Sequence, residues 1–288
     1  MDLRSGVVYG LVSAGAFGCA DFLARQVSHR VGYFTTLFIL QSIGTIILAP
    51  FAFVLERPLW QAADPWVFVI GLGVLNLIAG LALYRAFEFG VLSVVAPIVS
   101  LSPALTATLA LLVLGERPSA RVLAGMALAL IGTAWLSRTT TLASGPPPKH
   151  ARSGLVSAAI AVVGLGLMSF GAKFAADAVG PMSTIVVLRL VGALLTAAAV
   201  AATTARLQGL PRRAWPVALA MVTLDTGAFV AYVTGLSSGS VAVVSTLSGL
   251  FSAVTVGLAA LVLKERLYPA AYASIFVMLV GTALIVAG

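Results

Sequence analysis

The sequence predicts an all-α polytopic membrane protein with ten transmembrane helices, arranged as two inverted repeats of five. Three observations predict it. Charged residues make up 9% of the 288 positions and hydrophobic residues 60%, where an ordinary soluble domain carries roughly 25% charge. So few charges cannot cover a soluble surface of this size. Apolar runs of about 20 residues, the length that crosses about 30 Å of hydrocarbon, recur along the whole chain. The second half of the chain also repeats the first, and an odd number of spans in each half forces the two halves to cross the membrane in opposite directions.

The first run, 6–25, follows Arg4 and carries Ser13, Phe17 and Asp21. Its stretch up to Phe17-Gly18-Cys19 resembles a cleaved signal. The same segment recurs from Gly154, where no signal can stand, so a retained helix is expected. The second run, 33–55, follows Gly32. The third, 66–87, opens on Trp66, which with Trp215 in the other half reads as an interfacial belt residue. The fourth, 91–114, contains Pro97 and Pro103, expected as structural breaks. Proline removes a backbone donor, and membrane helices tolerate this where they line a cavity or pack on protein. The fifth is 120–137. Ser137 to Gly154 is rich in Ser, Thr, Gly and Pro and reads as a flexible linker. The expected organisation is therefore a first repeat over 1–137, a linker over 138–153 and a second repeat over 154–288. The second repeat supplies runs at 154–174, 182–203, 214–236, 240–263 and 269–287.

The repeat is explicit in the residues. VLSVVAPIVSLSPALTATLALLVLGER lies over SVAVVSTLSGLFSAVTVGLAALVLKER, and Gly90–Ala134 aligns with Gly239–Ala283 without a gap. Gly6, Gly18, Phe22, Gly32, Thr36 and Gly44 meet Gly154, Gly166, Phe170, Gly180, Thr184 and Gly192. Duplication explains this. Inverted repeats are a transporter signature, with substrate held near the midplane between the halves.

The net charge of +8 would suggest nucleic acid in a soluble chain. Here the basic residues sit mostly at span ends and form no stripe with aromatics, so no nucleic-acid partner is expected. With the N-terminus in the cytoplasm, Arg4, Arg57, Arg117, Arg121 and Lys173 would fall inside and most other cations outside. The positive-inside rule therefore favours external termini. One cysteine, Cys19, and two histidines, His29 and His150, argue against a disulfide or a metal site. No nucleophile–base set, HExxH or phosphate-cradling loop is present, so an enzyme is not expected. No cofactor is expected either. The expected partners are a small-molecule substrate and the lipid bilayer, with the chain working as a monomer.

Asp225 lies inside an apolar run, and its counterpart in the first half is Asn76. Arg189 in the neighbouring span corresponds to Gln41. An intramembrane pair of Arg189 and Asp225 is expected, acting as a clamp between helices or in substrate or proton handling. Helical spacing puts Ser13, Phe17 and Asp21 on one face, Asn76, Gly80 and Tyr84 on another, and Asp225 with Tyr232 on a third. Arg25, at i+4 from Asp21, is expected to neutralise it. The hydroxyls of the fourth and ninth runs, Ser100, Ser102, Ser245, Thr246, Ser248 and Ser252, suit either a polar ligand or close helix packing. The cavity candidates are Ser13, Phe17, Asn76, Gly80, Tyr84, Ser100, Asp225, Tyr232, Ser245 and Ser248. Glu116 of GERP and Glu265 of KERL read as structural residues at the turn before the following helix.

The stretch LYRAFEFGVLSVVAPIVSLSPALTATLALLVLGERPSARVLAGMALALIGTA and its copy ending in LVLKERLYPAAYASIFVMLVGTA resemble the EamA family of the drug/metabolite transporter superfamily. Arg189, with Pro181 before it, also matches that family's second-span arginine, whereas the first half carries Gln41. The resemblance implies a ten-helix inverted-repeat carrier in the inner (plasma) membrane, with a cavity lined by spans one, three, four, six, eight and nine and both termini cytoplasmic. It further implies export of amino acids and related metabolites, as in the YddG-type aromatic amino-acid exporters. Multidrug or cation efflux, sugar-phosphate or nucleotide-sugar exchange, and a non-transporting membrane scaffold are the competing readings.

Overall fold

The computed structural model describes residues 3–56, 64–89, 98–141, 151–202, 207–262 and 269–288. Its helices are α1 (Leu3–Leu55), α2 (Asp64–Phe89), α3 (Ser102–Val113), α4 (Ala120–Thr141), α5 (Ala151–Val179), α6 (Pro181–Ala202), α7 (Trp215–Ser238), α8 (Val241–Ser248), α9 (Phe251–Val262) and α10 (Pro269–Val286). Among the described residues, nine helical stretches are long and apolar enough to cross a membrane. The fourth expected span is described only from residue 98 and contributes the shorter α3. Pro97 lies outside the described residues. A helix closes its own backbone hydrogen bonds, which hydrocarbon cannot supply. That is why these apolar runs fold as they do.

Two boundaries differ from expectation. The first two spans, Leu3–Ser28 and Phe34–Leu55, run on as one helix bent at Gly32, whose φ of 73° suits glycine alone. Gly180, φ 95°, turns the chain at the equivalent place between α5 and α6. In both halves the carbonyl of that glycine accepts a threonine hydroxyl at 2.8 Å, from Thr36 and from Thr184. Helix also extends into the expected linker, to Thr141 on one side and from Ala151 on the other. Residues 142–150 lie outside the described part.

Close glycine contacts reveal the inversion. Gly125 packs on Gly281 and Ile285, while Gly132, two turns on, packs on Met278 and Ser274. Partner numbers fall as the helix advances, so α4 and α10 are antiparallel. Gly44 lies on Arg189 and Gly192 on Gln41, which sets the second and seventh spans antiparallel as well. Gly10 and Gly18 instead meet Leu247 and Val254 in rising order, so the first and ninth spans run parallel. A two-fold axis lying in the membrane plane requires all three relations. Small residues permit these close approaches, since lipid offers no hydrophobic drive between helices. The largest buried cluster, which includes Ala14, Leu136, Ile185, Tyr232 and Leu247, draws on both halves.

Candidate transport cavity

The fourth and ninth spans are interrupted at the same position of the repeat. Leu101 N–H donates to Ile98 O at 3.0 Å, and Leu250 N–H donates to Leu247 O at 3.1 Å, a tight three-residue turn in each. Beyond the turns, α3 and α9 begin again. Pro103 sits in the first turn of α3, where its missing N–H costs nothing, so it starts a helix instead of breaking one. The ninth span breaks without any proline, and Gly249 at its break packs against Pro103 of the other half. The two interruptions therefore touch on the axis. Each is tied to the opposite half by one hydroxyl: Thr106 donates to Gly166 O at 3.1 Å, and Thr255 donates to Gly18 O at 3.1 Å. The latter two residues are the repeat copies of the former two.

A cavity of about 400 Å³ opens against these breaks. Its wall is largely built of equivalent residues from the two halves. Phe17 and Leu165 are one such pair, Asp21 and Ser169 another, Leu83 and Tyr232 a third, and Ser100 and Gly249 a fourth; Ser102 and Pro103 match Phe251 and Ser252. The axis thus runs through the cavity. Thr133 and Ser137 near the end of α4 complete the wall, whereas their copies in α10, Thr282 and Val286, do not contribute. That asymmetry displaces the cavity towards the membrane face opposite the N-terminus. Phe17 meets the rings of Phe229 and Tyr232 with centroids 6.2 and 6.4 Å apart, and the Tyr232 hydroxyl lies 3.3 Å from Ser245 Oγ.

Of the residues expected at a cavity, Phe17, Ser100, Tyr232, Ser245 and Ser248 line it together. Ser13 does not. It is fully buried and donates to Gly10 O at 2.8 Å, one turn from Phe17 towards the N-terminal face. Gly80 and Asn76 share the stripe of Leu83 but lie one and two turns nearer the N-terminal face, respectively, outside the cavity wall. The side chain of Tyr84 is outside the described residues. Asp21, expected to be neutralised by Arg25, faces the cavity; the Arg25 side chain is not described. Ser169, Thr133 and Ser137 were not singled out from sequence. Ser169 had a signal available, because it is the repeat copy of Asp21.

Arg189 and Asp225 form an ion pair between α6 and α7. The guanidinium also donates to Leu40 O at 2.8 Å, in the other half, and sits 6.0 Å from the Phe229 ring centroid. The arrangement ties three spans together. Gly44 leaves the room for it: a Cβ there would stand 2.0 Å from Arg189 Nη1. Across the axis, Gly192 accommodates buried Gln41 in the same way. Asp225 is thus held beside the cavity by its partner and does not line it.

Glu116 corrects a sequence expectation. Its carboxylate does not serve the helix that follows it. It accepts from Ser240 Oγ at 2.6 Å, Val241 N at 2.8 Å and Ala242 N at 3.1 Å, at the start of α8 in the other half. There it satisfies orphan N–H groups and complements the positive helix end. Gly6 packs on Ser240 and Gly239 in the same layer, so the N-terminal face is closed below the cavity. Glu56 caps the start of α6 likewise, accepting from Met182 N at 2.8 Å and Ser183 N at 2.6 Å. The copy of Glu116, Glu265, is outside the described residues.

The model of the EamA-like transporter family matches residues 4–138 and again residues 152–287. An uncharacterized protein of Methanocaldococcus jannaschii is 27% identical over 135 residues, which is 98% of that protein but 47% of this chain. That relative is about as long as one five-span half. The crystal structure of another protein shares the fold with a TM-score of 0.79 at 19% identity, covering 98% of each chain.

Proposed function

The chain belongs to the EamA-like transporter family, and from that premise we propose that it exports small zwitterionic metabolites, foremost amino acids with apolar or aromatic side chains, across the inner membrane by alternating access. One observation carries the reading: a cavity of ligand size lies on the axis between inverted halves, at the interruption of two helices. Its wall offers aromatic and aliphatic surface with many neutral hydroxyls, which bind polar groups at no charge cost. The first turns of α3 and α9, with Ser102 and Ser252, present helix N-termini to it, which favours a carboxylate. Among the described residues no Lys or Arg lines the wall, which weighs against sugar phosphates and nucleotide sugars.

The deeper candidates fit the same cycle. Ser13, Asn76 and Gly80 lie towards the closed N-terminal face, on the stripes that carry Phe17 and Leu83. Opening that face would extend the pathway along them. A cation exporter is the second reading, favoured by the carboxylate of Asp21 in the wall.

Counterflow in proteoliposomes, screened across amino acids with and without an imposed pH gradient, tests the proposal. Exchange of phenylalanine, tryptophan or branched-chain amino acids is expected. No counterflow of any amino acid overturns it, and binding without flux favours a non-transporting scaffold.

A further inference from the structure

Asp21 is the one charged side chain among the described residues that faces the cavity. It is exposed there, and among the described residues it has no hydrogen-bond or ion-pair partner. The nearby Arg189 is already engaged. Its guanidinium is bound to Asp225 on α7 and to Leu40 O. The Tyr232 hydroxyl is shared with Ser245. A carboxylate in a largely apolar, partly dehydrated wall gains strongly from a cation and little from a neutral ligand. The rings of Phe17, Phe229 and Tyr232 adjoin it in the same wall. Aromatic faces attract cations as well as apolar bodies.

The duplicated fold makes this carboxylate one-sided. The equivalent position in the second half is Ser169, which also lines the cavity, so among the described residues the symmetric site carries charge only on the wall of the first half. A ligand entering it is therefore oriented.

We infer that Asp21 is the ammonium-binding residue of the transport site. The substrate's charged amine sits on Asp21, its apolar body lies against Phe17 and Phe229, and its other end points to the hydroxyls of Ser169 and Ser245. The inference rests on the transport reading of this cavity and narrows its substrates to protonated amines. A free amine is required, and a carboxylate is dispensable.

Three probes of one shape test it: phenylalanine, phenethylamine, which lacks the carboxylate, and N-acetylphenylalanine, which lacks the charged amine. Binding to the purified full-length protein is read by thermal shift and by tryptophan fluorescence, and flux by counterflow. Phenylalanine and phenethylamine are expected to bind and N-acetylphenylalanine to bind at least tenfold more weakly. Asp21→Asn should weaken both amines at least tenfold while unfolding at the wild-type temperature, and Asp21→Glu should restore most of the binding. Asp21→Asn binding phenethylamine like wild type, or N-acetylphenylalanine binding as well as phenylalanine, overturns the inference; so does wild-type protein that binds no amine. Amine binding that depends on Asp21 without any flux would sink the transport reading and leave Asp21 as the ammonium-binding residue of a cavity that does not transport. Amino-acid flux untouched by Asp21→Asn would do the reverse.

Discussion

An isolated ion inside a membrane helix costs at least ~2.5–3.5 kcal/mol on insertion scales, and Asp225 offsets that cost through the guanidinium of Arg189. The arginine in turn needs Leu40 O and the space left by Gly44. Removing one partner strands a buried charge, so Asp225→Asn and Arg189→Gln are each expected to lose about 3–5 kcal/mol. The double variant should recover most of it, read as thermal unfolding of the detergent-purified protein. If the folded double variant also transports while each single fails, the pair is a clamp. A folded double variant that cannot transport gives the pair a part in the cycle. The pair itself was legible in sequence, because a lone Asp in hydrocarbon demands a cation and few were available. The exposure of Asp21 was not. Arg25 stands at i+4 on any isolated helix, and only packing decides which face meets a cavity.

At the scale of single helices, Pro97 and Pro103 predict a break in the fourth span. The ninth span breaks at the same place without a proline, so the cause lies in how the two spans cross, with Gly249 against Pro103. Pro103→Ala is therefore expected to leave the break in place, since α3 starts after the turn and Pro103 only fills its first turn. Glycine contacts decide packing more sharply. A Cβ on Gly18 would meet Phe251 O at 2.7 Å and Val254 Cβ at 2.4 Å, whereas Gly71 has open space around it. Gly18→Ala should destabilise by about 1–3 kcal/mol through overpacking. Gly71→Ala should be neutral or stabilise by roughly 0.5–1 kcal/mol through helix propensity. Thermal unfolding of the two variants side by side checks the contrast, and equal effects would mean that the first and ninth spans are not closely packed.

For the whole molecule, the inverted duplication was legible because two odd-numbered halves of matching sequence leave no other topology. The closure of one face was not legible, since it depends on Glu116 reaching a helix start more than a hundred positions away. Propensity and spacing carry no trace of such a contact. The cavity stands on the opposite side of this layer, so the three bonds that Glu116 accepts, together with Gly6 on Ser240, hold the N-terminal face shut. Alternating access requires that layer to part. Glu116→Ala leaves two backbone N–H groups at the start of α8 without their acceptor, which favours states in which water reaches them. A cysteine at Ser245, buried in the cavity wall, reports the change when placed in a Cys19→Ser background and reconstituted with known sidedness. An impermeant thiol reagent applied from the N-terminal face should label Ser245→Cys slowly with Glu116 intact and several-fold faster with Glu116→Ala. Labelling from the far face should change little or fall. Equal rates from the N-terminal face in both proteins would mean that helix packing alone, through Gly6 and Gly239, keeps that side closed.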